Sequence, residues 1–181
     1  MTSTWFRFSV QPGRTCVVFI GIASSILLSV GGSGAFAQPA GPATMAKQTI
    51  TLDGANAMTT AALAHAKELG LQEVIAIYDE SEILKTLVSM DGARITRVNF
   101  ALDKAYTAAR RQAATQDLAD NFASAPAVTV QSFLKQPRLT LLGGGMPIMV
   151  DGQVVGGIGA SGGTIAQDIE VANAGLAGIQ H

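Results

Sequence analysis

The fold of this chain is decided by residues 143–168, GGGMPIMVDGQVVGGIGASGGTIAQD. Two apolar strands flank Asp151-Gly152, a pair that is favoured in a two-residue hairpin turn. The second strand contains Gly156, Gly157 and Gly159, and glycine weakens a strand unless something approaches its backbone closely. The run therefore predicts a hairpin with a flat backbone surface. A flat ligand, a partner subunit and a helix of the same chain are the three candidates for what lies on it.

A helix start follows the hairpin. Residues 164–167, TIAQ, fit a capping box, in which the threonine and the glutamine satisfy each other's backbone N–H groups. Gly162 and Gly163 place further N–H groups at this end, and such an end can hold a carboxylate or a phosphate. A tight strand-to-helix turn without any ligand is the other interpretation of the same residues.

The rest of the chain supplies the elements that cover this hairpin. Hydrophobic periodicity and turn residues predict a helix at about Asp53–Leu69, strands at Glu73–Tyr78 and Ile83–Val88, and a helix at about Thr96–Ala114. Within 115–138 we expect a short helix, TQDLADNF, and otherwise a mobile loop. Two hairpins interleaved with helices predict an α+β fold, in which helices flank an antiparallel sheet of four or five strands.

The N-terminus predicts export. Arg7 and Arg14 precede an uncharged, mostly apolar stretch, Cys16–Val30, and Ala35-Phe36-Ala37 has the small-x-small form of a signal peptidase site. We therefore expect a signal peptide over residues 1–37 and a periplasmic or secreted product. The apolar stretch is shorter than the roughly 20 residues of a membrane span, so no stable membrane span is expected after cleavage. An uncleaved anchor is the alternative.

Cleavage would remove Cys16, the only cysteine, and with it any disulfide or thiolate chemistry. We expect residues 38–50 to form a disordered leader and residues 51–181 to form a single domain. The formal net charge of the whole chain is −1 and no basic stripe is present, which argues against nucleic acid as a partner.

Few residues offer chemistry, and no nucleophile, zinc-protease, P-loop or dinucleotide motif is present. His65 and His181 are the only histidines, which makes a conventional zinc site improbable, because such a site needs three or four ligands. His65 is predicted on the apolar face of the first helix, either as a hydrogen-bonded core residue or as a ligand.

Lys104 lies near the alanine stripe of the second helix. Together with Tyr106 and Thr107 it would hold an anionic group, or it is a solvated helix lysine. Met146 and Met149 flank a proline in the hairpin, where they would line an apolar pocket, act as soft iron ligands or simply fill the core.

Three segments carry a family resemblance: Gly144–Asp168, MDGAR at Met90–Arg94 and ALDKAYTA at Ala101–Ala108. The chain resembles the GlcG/HbpS-like family of haem-binding proteins, which is related to the C-terminal domain of PduO-type proteins. The resemblance implies a profilin-like sandwich, homo-oligomers (dimers or higher), and haem or a related tetrapyrrole as the ligand. For some members it also implies roles in haem sequestration, redox sensing or degradation.

Residues and resemblance together favour an exported, non-enzymatic, homo-oligomeric protein that binds haem or a similar planar anionic ligand in an apolar groove near the hairpin. His65 is the expected iron ligand. The predicted cofactor-binding residues are His65, Lys104, Thr107, Met146, Gly157, Gly162 and Gly163. Two alternatives remain open: an enzyme that acts on haem or on a small organic acid, and a ligand-free oligomeric interaction module.

Overall fold

The structure, a computed structural model, describes residues 44–179. The predicted signal peptide, residues 38–43 of the predicted leader and His181 lie outside the described residues. Five helices and four strands follow one another in the order α1 (Leu52–Glu68), β1 (Val74–Asp79), β2 (Leu84–Ser89), α2 (Ile95–Arg111), α3 (Thr115–Phe122), α4 (Ala127–Leu134), β3 (Gly145–Val150), β4 (Gln153–Ser161) and α5 (Ile165–Leu176).

The four strands form one antiparallel sheet in the order β2-β1-β4-β3. The central strands β1 and β4 pair directly, with Ile77 opposite Ile158 and Ala76 opposite Gly159. This pairing brings the two hairpins together side by side and confirms the predicted α+β architecture.

Helices cover both faces of the sheet. Helices α1 and α5 pack on the face that carries Ile75, Ile77 and Ile158, and this forms the larger core. On the opposite face, α2 packs on β1, β3 and β4. Its alanines lie against the other side of β1, which includes Ala76 and Tyr78. Since alternate strand residues point to opposite faces, one strand contributes to both cores.

Two of the three glycines of β4, Gly157 and Gly159, are explained by α2, whereas a Cβ on Gly156 would meet Tyr78 and Asp79 of β1. A Cβ on Gly157 would stand 2.5 Å from the backbone N of Ala109, and one on Gly159 would stand 2.5 Å from that of Ala105. Both distances are far below van der Waals contact, so the helix backbone occupies the space of the missing side chains. Of the three candidates, a helix of the same chain lies on this strand.

Both predicted turn motifs are confirmed. Asp151 and Gly152 have φ of 48° and 76°, the left-handed conformation that a two-residue hairpin of type I′ requires. Thr164 accepts a hydrogen bond from the N–H of Gln167, whose side chain in turn accepts one from the N–H of Thr164. This capping box starts α5 one residue after the cap.

One segment differs from the prediction. Residues 127–134, which we expected in a mobile loop, form α4. Its Phe133 is buried with Leu118 and Leu139 in a small separate core. The sequence AVTVQSFL has two β-branched valines and a threonine and weak amphipathic periodicity, so the helix depends on this tertiary packing rather than on local propensity.

The hydrophobic periodicity of the last helix predicts Ile165, Ile169, Ala172 and Leu176 as its buried stripe, but of these only Ala172 is fully buried. Ile165 is 48% exposed, whereas the buried residues of the helix are Asp168, Val171, Ala172 and Gly175. Asp168 is buried because it pairs with Lys104, and this places Asp168 rather than Ile165 on the buried face of the helix.

Ile50, which the sequence places at the end of a disordered leader, is buried and its N–H donates to the carbonyl of Val155, so this residue belongs to the folded core. None of the helices within residues 44–179 combines the length and the apolar character that a membrane crossing needs.

Candidate functional site

A buried ion pair lies where α2, α5 and the end of β4 meet. Lys104 and Asp168 both have side chains only 3% exposed, and Lys104 Nζ donates to Asp168 Oδ2 over 2.5 Å and to the carbonyl of Ala160 over 2.9 Å. The other carboxylate oxygen of Asp168 accepts from the N–H groups of Gly162 (3.1 Å) and Gly163 (2.9 Å). Lys104 and the two glycines, predicted as contacts for a ligand carboxylate, are therefore occupied by a carboxylate of the chain itself.

Glu73 is the third member of this cluster. It is fully buried, and neither of its carboxyl oxygens has a hydrogen-bond partner in the described part of the chain. Burial, and next the negative charge of Asp168, raise the pKa of Glu73 to about 7. Lys104 opposes this, but desolvation lowers the pKa of Lys104 as well. Near neutral pH the cluster therefore gains or loses a proton at Glu73.

Thr107 is a fully buried residue of α2 and has a structural role. Its hydroxyl donates to the carbonyl of Arg138 (3.1 Å) and accepts from the N–H of Thr140 (3.0 Å), which fixes the segment leading into β3. Met146, on the sheet, is half-buried and packs on the α1/α5 core. Gly157 lies under α2, as described above.

His65 is on the outside of the opposite layer. Its side chain is 26% exposed, with Nδ1 3.0 Å from Glu68 and Nε2 2.8 Å from Glu170, so it links α1 to α5. The hydrogen bond to Glu170, and then that to Glu68, raise the pKa of His65 above its ordinary value. The histidine is thus neither in the apolar core nor in a groove near the hairpin, because the buried positions of α1 are taken mostly by small residues and Met58.

The structure does not bring the predicted site residues into one groove. His65 belongs to the α1/α5 layer, whereas Lys104 and Thr107 belong to α2 on the other face of the sheet. Lys104 reaches α5 through the buried Asp168, whereas His65 contacts the exposed Glu170 of the same helix, so the two side chains do not line a common groove.

Sequence reasoning missed a polar cavity of about 330 Å³ at one end of the sheet. Its lining comes from the end of α1, the turn before α2 and the turn after β4, and includes Gln72, Gly92, Arg94, Arg97 and Gly162. The sequence signal was the MDGAR segment, Met90–Arg94, because its last three residues line this cavity. Elsewhere, no cluster of three or more His, Cys, Asp or Glu suited to a metal ion occurs among residues 44–179.

Comparison with known proteins identifies the family. The profile of a family described as "Haem degrading protein HbpS-like" matches residues 50–177. The chain belongs to this HbpS-like family. An uncharacterized 15.0 kDa protein from the dhaT-dhaS intergenic region of Citrobacter freundii is 33% identical over 128 residues, which cover 71% of this chain and 90% of that protein.

Two solved structures share the fold. A double mutant of Streptomyces reticuli HbpS is 29% identical, with a TM-score of 0.70 over 80% of this chain and 96% of the other. The PduOC:haem complex is 28% identical, with a TM-score of 0.67 over 73% of this chain and 96% of the other. The family resemblance that the sequence carries is therefore confirmed at the level of both sequence and fold.

Proposed function

We propose that this HbpS-like protein binds haem. The observation that carries the proposal is the likeness to PduOC, which was solved with haem and matches most of this chain. Haem would supply a redox-active iron, and this chain would supply an axial ligand and the surface that holds the ring.

His65 suits the role of ligand by its chemistry. Metal-ligating histidines commonly donate the second ring N–H to a carboxylate, which orients the ring and makes the free nitrogen more basic. Glu68, at 3.0 Å from Nδ1, can serve in this way, while Nε2 can exchange Glu170 for iron. His65 is also accessible from solvent, at 26% side-chain exposure.

We also propose that the protein forms homo-oligomers, through a surface on the opposite face of the sheet from His65. The sheet offers an uncovered apolar surface for self-association: Leu84 and Leu87, on the α2 side of edge strand β2, are 41% and 40% exposed. Unpaired edges and exposed apolar surface of this kind favour contact with another chain. Analytical ultracentrifugation of the protein and of Leu87→Lys tests this, and a monomeric native protein would contradict it.

Titration with hemin tests the haem proposal. We expect a saturable Soret shift at micromolar protein, and a weaker or spectrally altered complex for His65→Ala. Lys67→Ala is the matched control, because Lys67 is also an exposed cation on α1 but points away from His65. Absence of any saturable shift refutes haem binding, whereas identical spectra for His65→Ala and the native protein refute only the choice of ligand.

The pH dependence gives a second test of His65. A protonated imidazole cannot bind iron, and the two glutamates raise the pKa of His65. We therefore expect the His-ligated spectrum to develop as pH rises through this elevated pKa. In Glu170→Gln the midpoint should move to lower pH. A midpoint that is unaffected by this substitution would remove His65 from the coordination sphere.

Haem degradation is a second candidate, favoured by the description of the family. Loss of the Soret band of the bound complex under ascorbate and oxygen, faster than for hemin with serum albumin, would support turnover. Equal rates would leave binding as the function.

We further propose that the protein is exported, on the basis of the Arg-containing, apolar N-terminus and the sequence Ala35-Phe36-Ala37. N-terminal sequencing of the protein from an exporting host should begin at Gln38. An intact N-terminus in the cytoplasmic fraction would refute this.

A further inference from the structure

The polar cavity at the end of the sheet has two arginines in its wall. Arg94 is the residue that precedes α2, and Arg97 lies in the first turn of that helix. Neither forms an ion pair with any residue in 44–179. Desolvation lowers the pKa of Lys104, and the positive charge of Arg97 lowers it slightly further.

The helix start adds to the positive charge of these arginines. The first turn of α2 contains no acidic residue, and no side chain caps its N–H groups. This is the reverse of α5, where Thr164 caps the start and Asp168 lies in the first turn. An uncapped N-terminus carries a partial positive charge that attracts anions.

The buried carboxyl group of Glu73 packs against Gly162 but does not line the cavity. The carboxyl carbon of Glu73 would be 2.7 Å from a Cβ on Gly162, a residue of the cavity wall, so only the missing side chain of the glycine separates the two. Both oxygens of Glu73 lack a partner among the described residues. Glu73 is an acid next to Asp168 and does not itself attract an anion, so the positive charge of the cavity comes from the two arginines and the start of α2.

We propose that this cavity binds a small oxyanion, a carboxylate or phosphate group, held by Arg94 and Arg97 at the start of α2. A planar guanidinium donates two parallel hydrogen bonds to either group, so the two arginines recognise the chemistry that the two groups share. The site is separate from the haem site around His65, which lies in the α1/α5 layer, and does not depend on haem binding.

The test uses ¹⁵N-labelled protein purified from an exporting host, titrated with sodium phosphate and, separately, with sodium acetate, against sodium chloride at equal ionic strength. We expect saturable shifts of the Gly92 and Gly162 amide signals with at least one of the two anions. Shifts with phosphate only, with acetate only or with both anions show which oxyanion the cavity binds. Arg97→Gln should weaken binding about tenfold or more, since a hydrogen bond to a charged group is lost.

Two controls separate binding at this cavity from a general effect of surface charge and from binding at the haem site. Lys135→Gln removes one exposed positive charge at the end of α4 and should leave the affinity unchanged. Equal weakening by Lys135→Gln and Arg97→Gln, or the absence of any saturable shift beyond that caused by chloride, would overturn the proposal. Hemin titration of Arg94→Gln and Arg97→Gln should match that of the native protein. A loss of hemin affinity would assign the arginines to the carboxylates of the tetrapyrrole and refute a separate site.

Discussion

Gly159→Ala should destabilise the protein although it adds one methyl group to an apolar layer. The new Cβ would stand 2.5 Å from the backbone N of Ala105, so α2 would have to retreat by about 1 Å to reach ordinary contact. Overpacking of this kind costs about 1–3 kcal/mol. Alanine also lowers the conformational entropy of the unfolded chain relative to glycine, which offsets about 0.4–1 kcal/mol of this cost. Because the obstacle is backbone, which cannot rotate away, we expect a net loss of about 2 kcal/mol.

Thermal unfolding followed by circular dichroism measures this loss, and about 2 kcal/mol corresponds to a fall in Tm of about 5–10 °C for a domain of this size. Gly54→Ala is the matched control. It lies in α1, where the obstacle is the movable end of the Ile50 side chain, so its Tm should be unchanged or higher. A Tm for Gly159→Ala equal to that of the native protein would refute the close packing of α2 on β4. Loss of the oligomer without loss of Tm would mean that the glycines of β4 contact another subunit.

Three further predictions concern the buried cluster and the start of α5. The pKa of Glu73 rises from 4.5 to about 7 on folding. The contribution of Glu73 to the free energy of unfolding is therefore complete below pH 4.5, declines as the pH rises and is lost above about pH 7. Urea unfolding from pH 4 to 8 should show this decline, and Glu73→Gln should remove most of it. Lys104→Met should cost about 3–5 kcal/mol in the same assay, because Asp168 is left as a buried unpaired charge; a cost below about 1 kcal/mol would contradict the pairing. Thr164→Ala should lower the free energy of unfolding by about 1 kcal/mol. If Gln167→Ala lowers it little further in the double variant, the loss is confined to the cap.

The hairpin and the sheet were predictable because their signals are local. Asp151-Gly152 requires a left-handed turn whatever surrounds it, and Thr164 with Gln167 forms its cap within one turn of helix. Alternation along β1 and β4 then leaves few ways to pair two hairpins. By contrast, α4 was missed because its stability comes from Phe133 packing on residues of other elements, which no local pattern records.

The site could be predicted only in its residue types. The sequence identified Lys104, Gly162 and Gly163 as an anion-binding set, and they do bind a carboxylate together. The sequence could not show that Asp168 supplies this carboxylate. An acid in the first turn of a helix is also favourable when it is exposed to solvent, so its position does not indicate burial. A predicted anion site can thus be occupied by an acid of the same chain rather than by a ligand. Only the distance between residues that are far apart in the sequence decides between these two outcomes.

The buried cluster is a poor site for an external anion. Asp168 neutralises Lys104 and takes the N–H groups of Gly162 and Gly163, so the buried cluster offers little positive charge to a ligand. Arg94 and Arg97 retain theirs, because no acid among the described residues pairs with them. The glycine-rich strand is therefore a packing surface for α2, and the turn that follows it contributes Gly162 to a cavity whose charge comes from α2. Lys67 and Lys135 also lack an ion-pair partner among the described residues, so what distinguishes Arg94 and Arg97 is that they line one cavity together at the start of a helix.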